Sequence, residues 1–252
     1  MVVKRSNEHY RTTLLYNTCG RNDAFARVAR KVTRVNPEMP SDLLPHALDA
    51  KGFMPEDEGA FLHRIARERL PHGPALEIGT YCGKSAIYLG AAAREVGGHV
   101  LTIDHHRGSE ENQAGWEYHD ASLVDEEFGL MDTLPVFRKA VARAGLEDQV
   151  TAVIGRSTSV ATWWHTPVSL LFIDGGHAEE HAQNDYSGFA HWVMPGGALV
   201  IHDVFERPED GGQAPFHVWQ RAVASECFEP RETVGSMRVL ARTRGDAGEP
   251  VG

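Results

Sequence analysis

The sequence predicts an α/β protein built on a doubly wound, seven-stranded and mostly parallel sheet, preceded by a helical extension. Short apolar runs alternate with helical patterns from residue 75 to residue 203, and strands separated by helices imply parallel pairing. The stretch Ala75-Leu-Glu-Ile-Gly-Thr-Tyr-Cys-Gly-Lys-Ser85 reads as a strand, a glycine turn and the start of a helix. Two last β-like runs joined by Gly235-Ser236 add an antiparallel pair to that sheet.

In chain order, residues 1–54 mix short helical patterns with breaks at Asn36-Pro, Met39-Pro-Ser and Leu44-Pro, which suits an N-terminal helical cap rather than an independent domain. Within it Phe25, Val28, Ala29 and Val32 recur at helical spacing, so a docked helix with a solvated basic face is expected. Pro55-Glu-Asp-Glu opens a helix whose Phe61, Leu62, Ile65, Ala66 and Leu70 form one apolar face. The main domain spans residues 55–243. Its strands are expected at 75–78, 99–104, 150–154, 168–174, 197–203, 229–234 and 237–242, and its helices at 84–95, 132–144, 178–192 and 215–226. The tail 244–252 is rich in Gly, Asp and Pro and is expected to be disordered. One connection is too long for its kind: residues 105–131 separate a strand from the next helix, where a βα loop takes about 2–6 residues. An excess at the carboxyl edge of a parallel sheet reads as a lid, and His105, His106, Trp116, Tyr118 and His119 give this one groups suited to gripping a polar substrate.

Composition narrows the class. The 252 residues carry a net charge of −10 and are 42% hydrophobic, enough for a sizeable core. Residues 1–36 hold eight Lys/Arg against Glu8 and Asp23, leaving 17 basic and 33 acidic residues beyond. So acidic a main domain argues against nucleic acid as partner, and the basic arm is assigned to the helix above. No apolar run is long enough to span a membrane, and Cys19, Cys82 and Cys227 are too scattered for a disulfide framework or zinc cluster. A cytoplasmic protein with a small-molecule substrate is expected; a homo-oligomer closed by the basic segment stays open.

The chemistry starts at Glu77. A dinucleotide turn has the pattern G-x-G-x-x-G, whereas this one has an acid at the strand end, then Gly79, Gly83 and Ser85. A carboxylate there repels a pyrophosphate and can take an ammonium. Asp104 ends the next strand, where an acid can accept ribose hydroxyls. This turn resembles motif I of the class I methyltransferases that use S-adenosylmethionine (SAM), and the Rossmann-like sheet with its terminal hairpin resembles their fold. That resemblance implies a cofactor site of Glu77, Gly79, Thr80, Tyr81, Gly83, Ser85, Asp104, His105, Ser157 and Asp174, with the loop Gly155-Arg-Ser157 edging the adenine.

The runs Phe172-Ile-Asp-Gly-Gly-His177 and Pro195-Gly-Gly-Ala-Leu-Val-Ile-His-Asp203 resemble the group that includes macrocin-type sugar O-methyltransferases, and distantly the catechol O-methyltransferases. The metal-dependent members hold Mg²⁺ on the aspartate after strand four and an acidic pair after strand five, and use a base three residues beyond the first aspartate. Carried over, Asp174 and Asp203 become metal ligands, with His202 the candidate third ligand between them, and His177 becomes the base, whose near-neutral pKa suits deprotonating a hydroxyl. His202 departs from the pattern, because Mg²⁺ prefers oxygen. It fits either a softer ion such as Mn²⁺, Fe²⁺ or Zn²⁺ or a metal-free site in which it bonds Asp174. The expected reaction is O-methylation of a polar small molecule or sugar-bearing metabolite. Metal-independent N-methylation and a silent SAM-binding partner are the alternatives; the missing G-x-G-x-x-G argues against a nucleotide-dependent oxidoreductase. His181 and His191 are read as helix residues, and Trp163 and Trp164 as packing under a loop.

Overall fold

The structure is a computed structural model and describes residues 39–252 apart from Glu117. The basic helix expected near 23–32, most of the N-terminal cap and Cys19 lie outside those residues. A short helix α1 (Leu44–Asp49) leads into α2 (Glu56–Arg69), which starts at Pro55 and carries Glu56, Asp57 and Glu58 in its first turn. Acids there meet the positive end of the helix dipole. The buried Phe61, Leu62, Ile65 and Ala66 of α2 pack with α3 (Lys84–Val96), where small residues bring the two helices close.

Seven strands form the main sheet: β1 (Ala75–Ile78), β2 (Val100–Asp104), β5 (Val150–Ile154), β6 (Val168–Ile173), β7 (Val193–Ile201), β8 (Phe228–Val234) and β9 (Met237–Arg242). Their order is β5-β2-β1-β6-β7-β9-β8, parallel except at β9, which pairs antiparallel with both β7 and β8. α4 (Leu134–Arg143), α6 (Glu179–Phe189) and α7 (Ala214–Ala224) supply the remaining long helices. Apolar side chains fill a layer on each face of the sheet, one with α2 and α3 and the other with α6 and α7. Strand order reverses between β1 and β6, so the crevice at their carboxyl ends is the topological switch point where such sheets bind ligands.

The segment 105–131 is not featureless. It holds 3₁₀ turns at Glu110–Asn112 and Ala121–Leu123 and a small hairpin of β3 (Val124–Asp125) and β4 (Leu130–Met131). Its buried Leu123 and Met131 pack on Cys82, while Asn112 caps the first turn through Ser109. A short helix α5 (Ser157–Ala161), absent from the sequence expectation, follows β5. Of the two tryptophans, Trp164 is buried and donates to the Thr166 carbonyl, but Trp163 lies exposed rather than under a loop.

The expected disorder of residues 244–252 is also corrected. Arg242, 1% exposed, donates from its guanidinium to the carbonyls of His191, Val193, Arg244, Asp246 and Glu249. The Val251 side chain is buried, and its carbonyl accepts from the Tyr186 hydroxyl. A buried charge needs such a set of acceptors, and making it pulls the tail onto the fold. Arg242→Ala leaves those carbonyls unsatisfied, so urea unfolding should show a loss of roughly 3–5 kcal/mol. A loss within the error of the wild-type curve would contradict this role.

Candidate active site

The turn after β1 is shaped by close approach. Gly79 has φ 87°, and a Cβ there would stand 2.1 Å from the Asp174 carbonyl oxygen. Only glycine brings the ends of β1 and β6 so near. Gly83, also at positive φ, starts α3. Of the four non-glycine residues with positive φ among those described, Tyr81, His106 and Asp203 lie at this sheet edge; backbone strain of this kind collects at functional sites.

Glu77 is fully buried; the donors that act on its carboxylate are the Ser85 and Thr80 hydroxyls, neither in close hydrogen-bond geometry. Burial pushes the Glu77 carboxyl up to about 8, opposed by those hydroxyls and helped by Asp174 and Asp104. A buried acid with so little compensation is costly. It suits a ligand that brings a cation and donors, as the amino end of SAM does. Asp104 is more committed than the sequence implied: Oδ2 accepts from the backbone N–H of Thr80 and Tyr81, at 2.9 and 2.8 Å, and Oδ1 from His106 N–H at 2.7 Å. The carboxylate thus holds the glycine turn in place and keeps a free lone pair on Oδ1 for a ligand hydroxyl. His105 Nδ1 accepts from Arg107 N–H. Ser157 opens α5 beyond β5.

Across the switch point stands a chain of alternating acids and imidazoles. His202 follows β7, is 5% exposed, and pairs through Nδ1 with Asp174 Oδ1 (2.9 Å) and Asp203 Oδ2 (3.3 Å), and through Nε2 with Glu58 Oε2 (2.6 Å). Burial opposes charge on its ring, but Asp174, Asp203 and Glu58 outweigh that and hold its pKa well above the ordinary value. Burial raises Asp174, against the pull of His202. For Asp203, burial acts upward too, yet the hydrogen bonds from His177 and His202 prevail and hold it below the carboxylate range. Asp174, His202 and Asp203 each offer a ligand atom, all within 4.8 Å of one another, so two oxygens and one nitrogen converge as a divalent cation requires.

His177 bridges this cluster to the segment 105–131, with Nε2 3.1 Å from Asp203 Oδ2 and Nδ1 3.0 Å from Glu111 Oε2. The bond to Asp203 first, and then Glu111, push it up to about 9 against burial. The expected near-neutral imidazole is therefore corrected: with both nitrogens donating, His177 is cationic at neutral pH. A cleft of about 130 Å³ opens beside it, lined by Glu110, Glu111, Trp116 and His181. His181, read from sequence as a plain helix residue, belongs to that wall. His106 does not: it is buried and bonded to Thr133 Oγ1 as lid packing. His119 donates from Nδ1 to the Asn112 carbonyl. Tyr118 meets Phe53 edge-on rather than the cleft.

A seven-stranded sheet with this reversed hairpin, an acid closing each of the first two strands and an acidic cluster over the switch point defines the class I SAM-dependent methyltransferases. The chain belongs to a family described as "Methyltransferase domain", whose model matches residues 76–204, more than half of the sequence. Solved structures share the fold at low identity. The SAH-bound Podospora anserina methyltransferase PaMTH1 is 16% identical with a TM-score of 0.60, over 82% of this chain and 89% of its own. Cofactor-bound Rv0187 from MTB is 20% identical with a TM-score of 0.56, over 80% and 88%. The O-methyltransferase TomG from Streptomyces achromogenes, in complex with SAM, is 18% identical with a TM-score of 0.55, over 81% and 91%. Among the described residues no helix is long and apolar enough to cross a membrane.

Sequence reasoning missed Glu58 and Glu111. Glu58 had a signal, since it shares a helix face with Phe61, Leu62 and Ile65; Glu111 in the lid had none. The raised Glu77 carboxyl carries a stability consequence. The folded protein holds a proton there that the unfolded chain loses near pH 4.5, so this group lowers stability as pH climbs from there to about 8. Thermal melts of ligand-free Glu77→Gln should therefore lie above wild type at pH 8, while its affinity for S-adenosylhomocysteine (SAH) falls at least about tenfold. A variant that melts lower and binds SAH normally would contradict the placement.

Proposed function

We propose that this methyltransferase acts on the oxygen of a polar small molecule entering the cleft beside Trp116. The carrying observation is the His177–Asp203 pair at the cleft wall, since an imidazole backed by a carboxylate serves hydroxyl deprotonation and an amine acceptor needs no such base. TomG, by its printed description an O-methyltransferase involved in tomaymycin synthesis, supports acceptors of small size. SAM, when bound, supplies an activated methyl group on a sulfonium.

The chain's own residues do the rest. Glu77 and the turn through Gly79 and Gly83 hold the amino-acid end, Ser85 closes the helix start beside it, and Asp104 takes a ribose hydroxyl on Oδ1. Ser157 edges the adenine. As the acceptor hydroxyl takes Glu111's place, His177 gives its Nδ1 proton to solvent; the neutral ring, held at Nε2 by Asp203, then receives the hydroxyl proton on Nδ1 as the oxygen attacks the methyl group. Catalysis beyond this is placement, because oxygen and methyl must meet in line. Asp174, His202 and Asp203 would hold a divalent cation, which supplies Lewis-acid orientation of the acceptor oxygen.

The test is single-turnover methyl transfer from labelled SAM to hydroxylated and amine acceptors. His177→Ala should slow transfer by roughly 10²–10⁴-fold while SAH affinity stays within about twofold. An unchanged chemical step in that variant, or transfer confined to amines, would overturn the oxygen reading.

A further inference from the structure

We propose that Glu58 is a positioning residue for the ion site: it fixes the His202 ring so that Nδ1 is the ligand atom, and thereby turns the site from Mg²⁺ toward a nitrogen-accepting divalent ion such as Mn²⁺ or Co²⁺. This rests on the methyltransferase reading above. Histidine ligands to metals typically give their second ring N–H to a carboxylate, which sets the tautomer and orientation. Here that partner is in place. Glu58 Oε2 lies 2.6 Å from His202 Nε2, and the two side chains are 4% and 5% exposed.

Glu58 is itself immobilised. Its other oxygen accepts from the Ser236 backbone N–H and from the Ser236 hydroxyl. The turn between β8 and β9 leaves room for it only because residue 235 is glycine: a Cβ there would stand 2.0 Å from Oε1. The first turn of α2, the hairpin turn and the end of β7 thus converge on one imidazole. With Nε2 held from behind, Nδ1 faces Asp174 and Asp203, and Asp203 itself sits at φ 54°. Glu58 cannot leave Ser236 and join the ion without breaking both bonds, so the donor set stays two carboxylates and one imidazole. Mg²⁺ favours all-oxygen octahedra, whereas imidazole nitrogen favours later first-row ions, in the order Mn²⁺ below Fe²⁺ below Co²⁺.

The experiment is calorimetric titration of the full-length chain with Mg²⁺, Mn²⁺ and Co²⁺, with SAH affinity measured in parallel and pulsed EPR of the Mn²⁺ form. Co²⁺ should bind wild type at least about 100-fold more tightly than Mg²⁺, and Mn²⁺ should show ¹⁴N coupling. His202→Asp should abolish that coupling and narrow the Co²⁺/Mg²⁺ ratio at least about tenfold. Glu58→Leu should weaken Co²⁺ by roughly 10–100-fold, with Glu58→Gln between it and wild type. Equal affinity of wild type for Mg²⁺ and Co²⁺, no ion binding, or full Co²⁺ affinity and ¹⁴N coupling in folded Glu58→Leu would overturn the proposal. If Glu58→Leu fails to fold, the isosteric Glu58→Gln decides: Co²⁺ affinity and ¹⁴N coupling equal to wild type in that variant would overturn the proposal. Failure of wild type to bind SAH would strike the methyltransferase reading instead.

Discussion

Four carboxylates crowd the carboxyl edge of one sheet, Glu58 and Glu77 buried and Asp174 and Asp203 half-buried, and the local structure follows from what must balance them. Removing an ionised carboxylate from water costs several kcal/mol unless charge or hydrogen bonds return it. Three of the four are served from within. His202 lies among Glu58, Asp174 and Asp203, and His177 carries the compensation on to Glu111 in the lid. Glu77 has only the Ser85 and Thr80 hydroxyls against it and is held closer to its neutral form. That difference supports the proposed division, in which the paired acids serve the reacting end of the site and Glu77 a cationic ligand.

The fold makes this crowding affordable by thinning the backbone where chains must touch. Gly79 lets β1 approach β6, Gly235 lets the hairpin turn close over Glu58, and Gly175 sits where a Cβ would stand 2.6 Å from Asp185 Oδ2. Asp185 is another buried acid, pushed up to about 6 chiefly by burial. Asp104 acts in the opposite way, spending most of its acceptor capacity on the N–H groups of the turn. A ligand therefore meets a turn already folded, which lowers the ordering cost of binding.

Much of this was legible in the chain. Strands β1, β5 and β9 fall at the expected residues, because apolar runs bounded by glycine and proline mark buried strands well. Glu77 in β1, Asp104 at the end of β2, Asp174 after β6 and His202-Asp203 after β7 lie at one edge, because strand ends of a parallel sheet share it. What the sequence withheld depends on tertiary packing. Three acids open α2, and of these Glu58 shares the face of Phe61, Leu62 and Ile65; what it meets there, the Ser236 turn and His202, is set by tertiary packing. β7 begins at Val193 and α6 ends at Phe189, both earlier than expected, because a 3₁₀ turn at Ala190–Trp192 makes the junction. The tail looked disordered by composition, and the reason it is not is a single arginine whose acceptors lie 2 to 51 residues away in sequence. His177 stands at the cleft wall, and its pKa is raised first by Asp203 and only then by Glu111, a residue of the segment 105–131 that no periodicity marks.

On the proposed reading, Glu77 gives up a proton to receive the ammonium of an S-adenosyl ligand. Calorimetric titration of SAH at pH 7 in two buffers of different ionisation enthalpy measures proton release directly, with NAD as the comparison ligand. SAH should bind with release of close to one proton, this release should disappear in Glu77→Gln, and NAD should give no binding heat. Binding of NAD in preference to SAH, or SAH binding with no proton released by wild type, would contradict it.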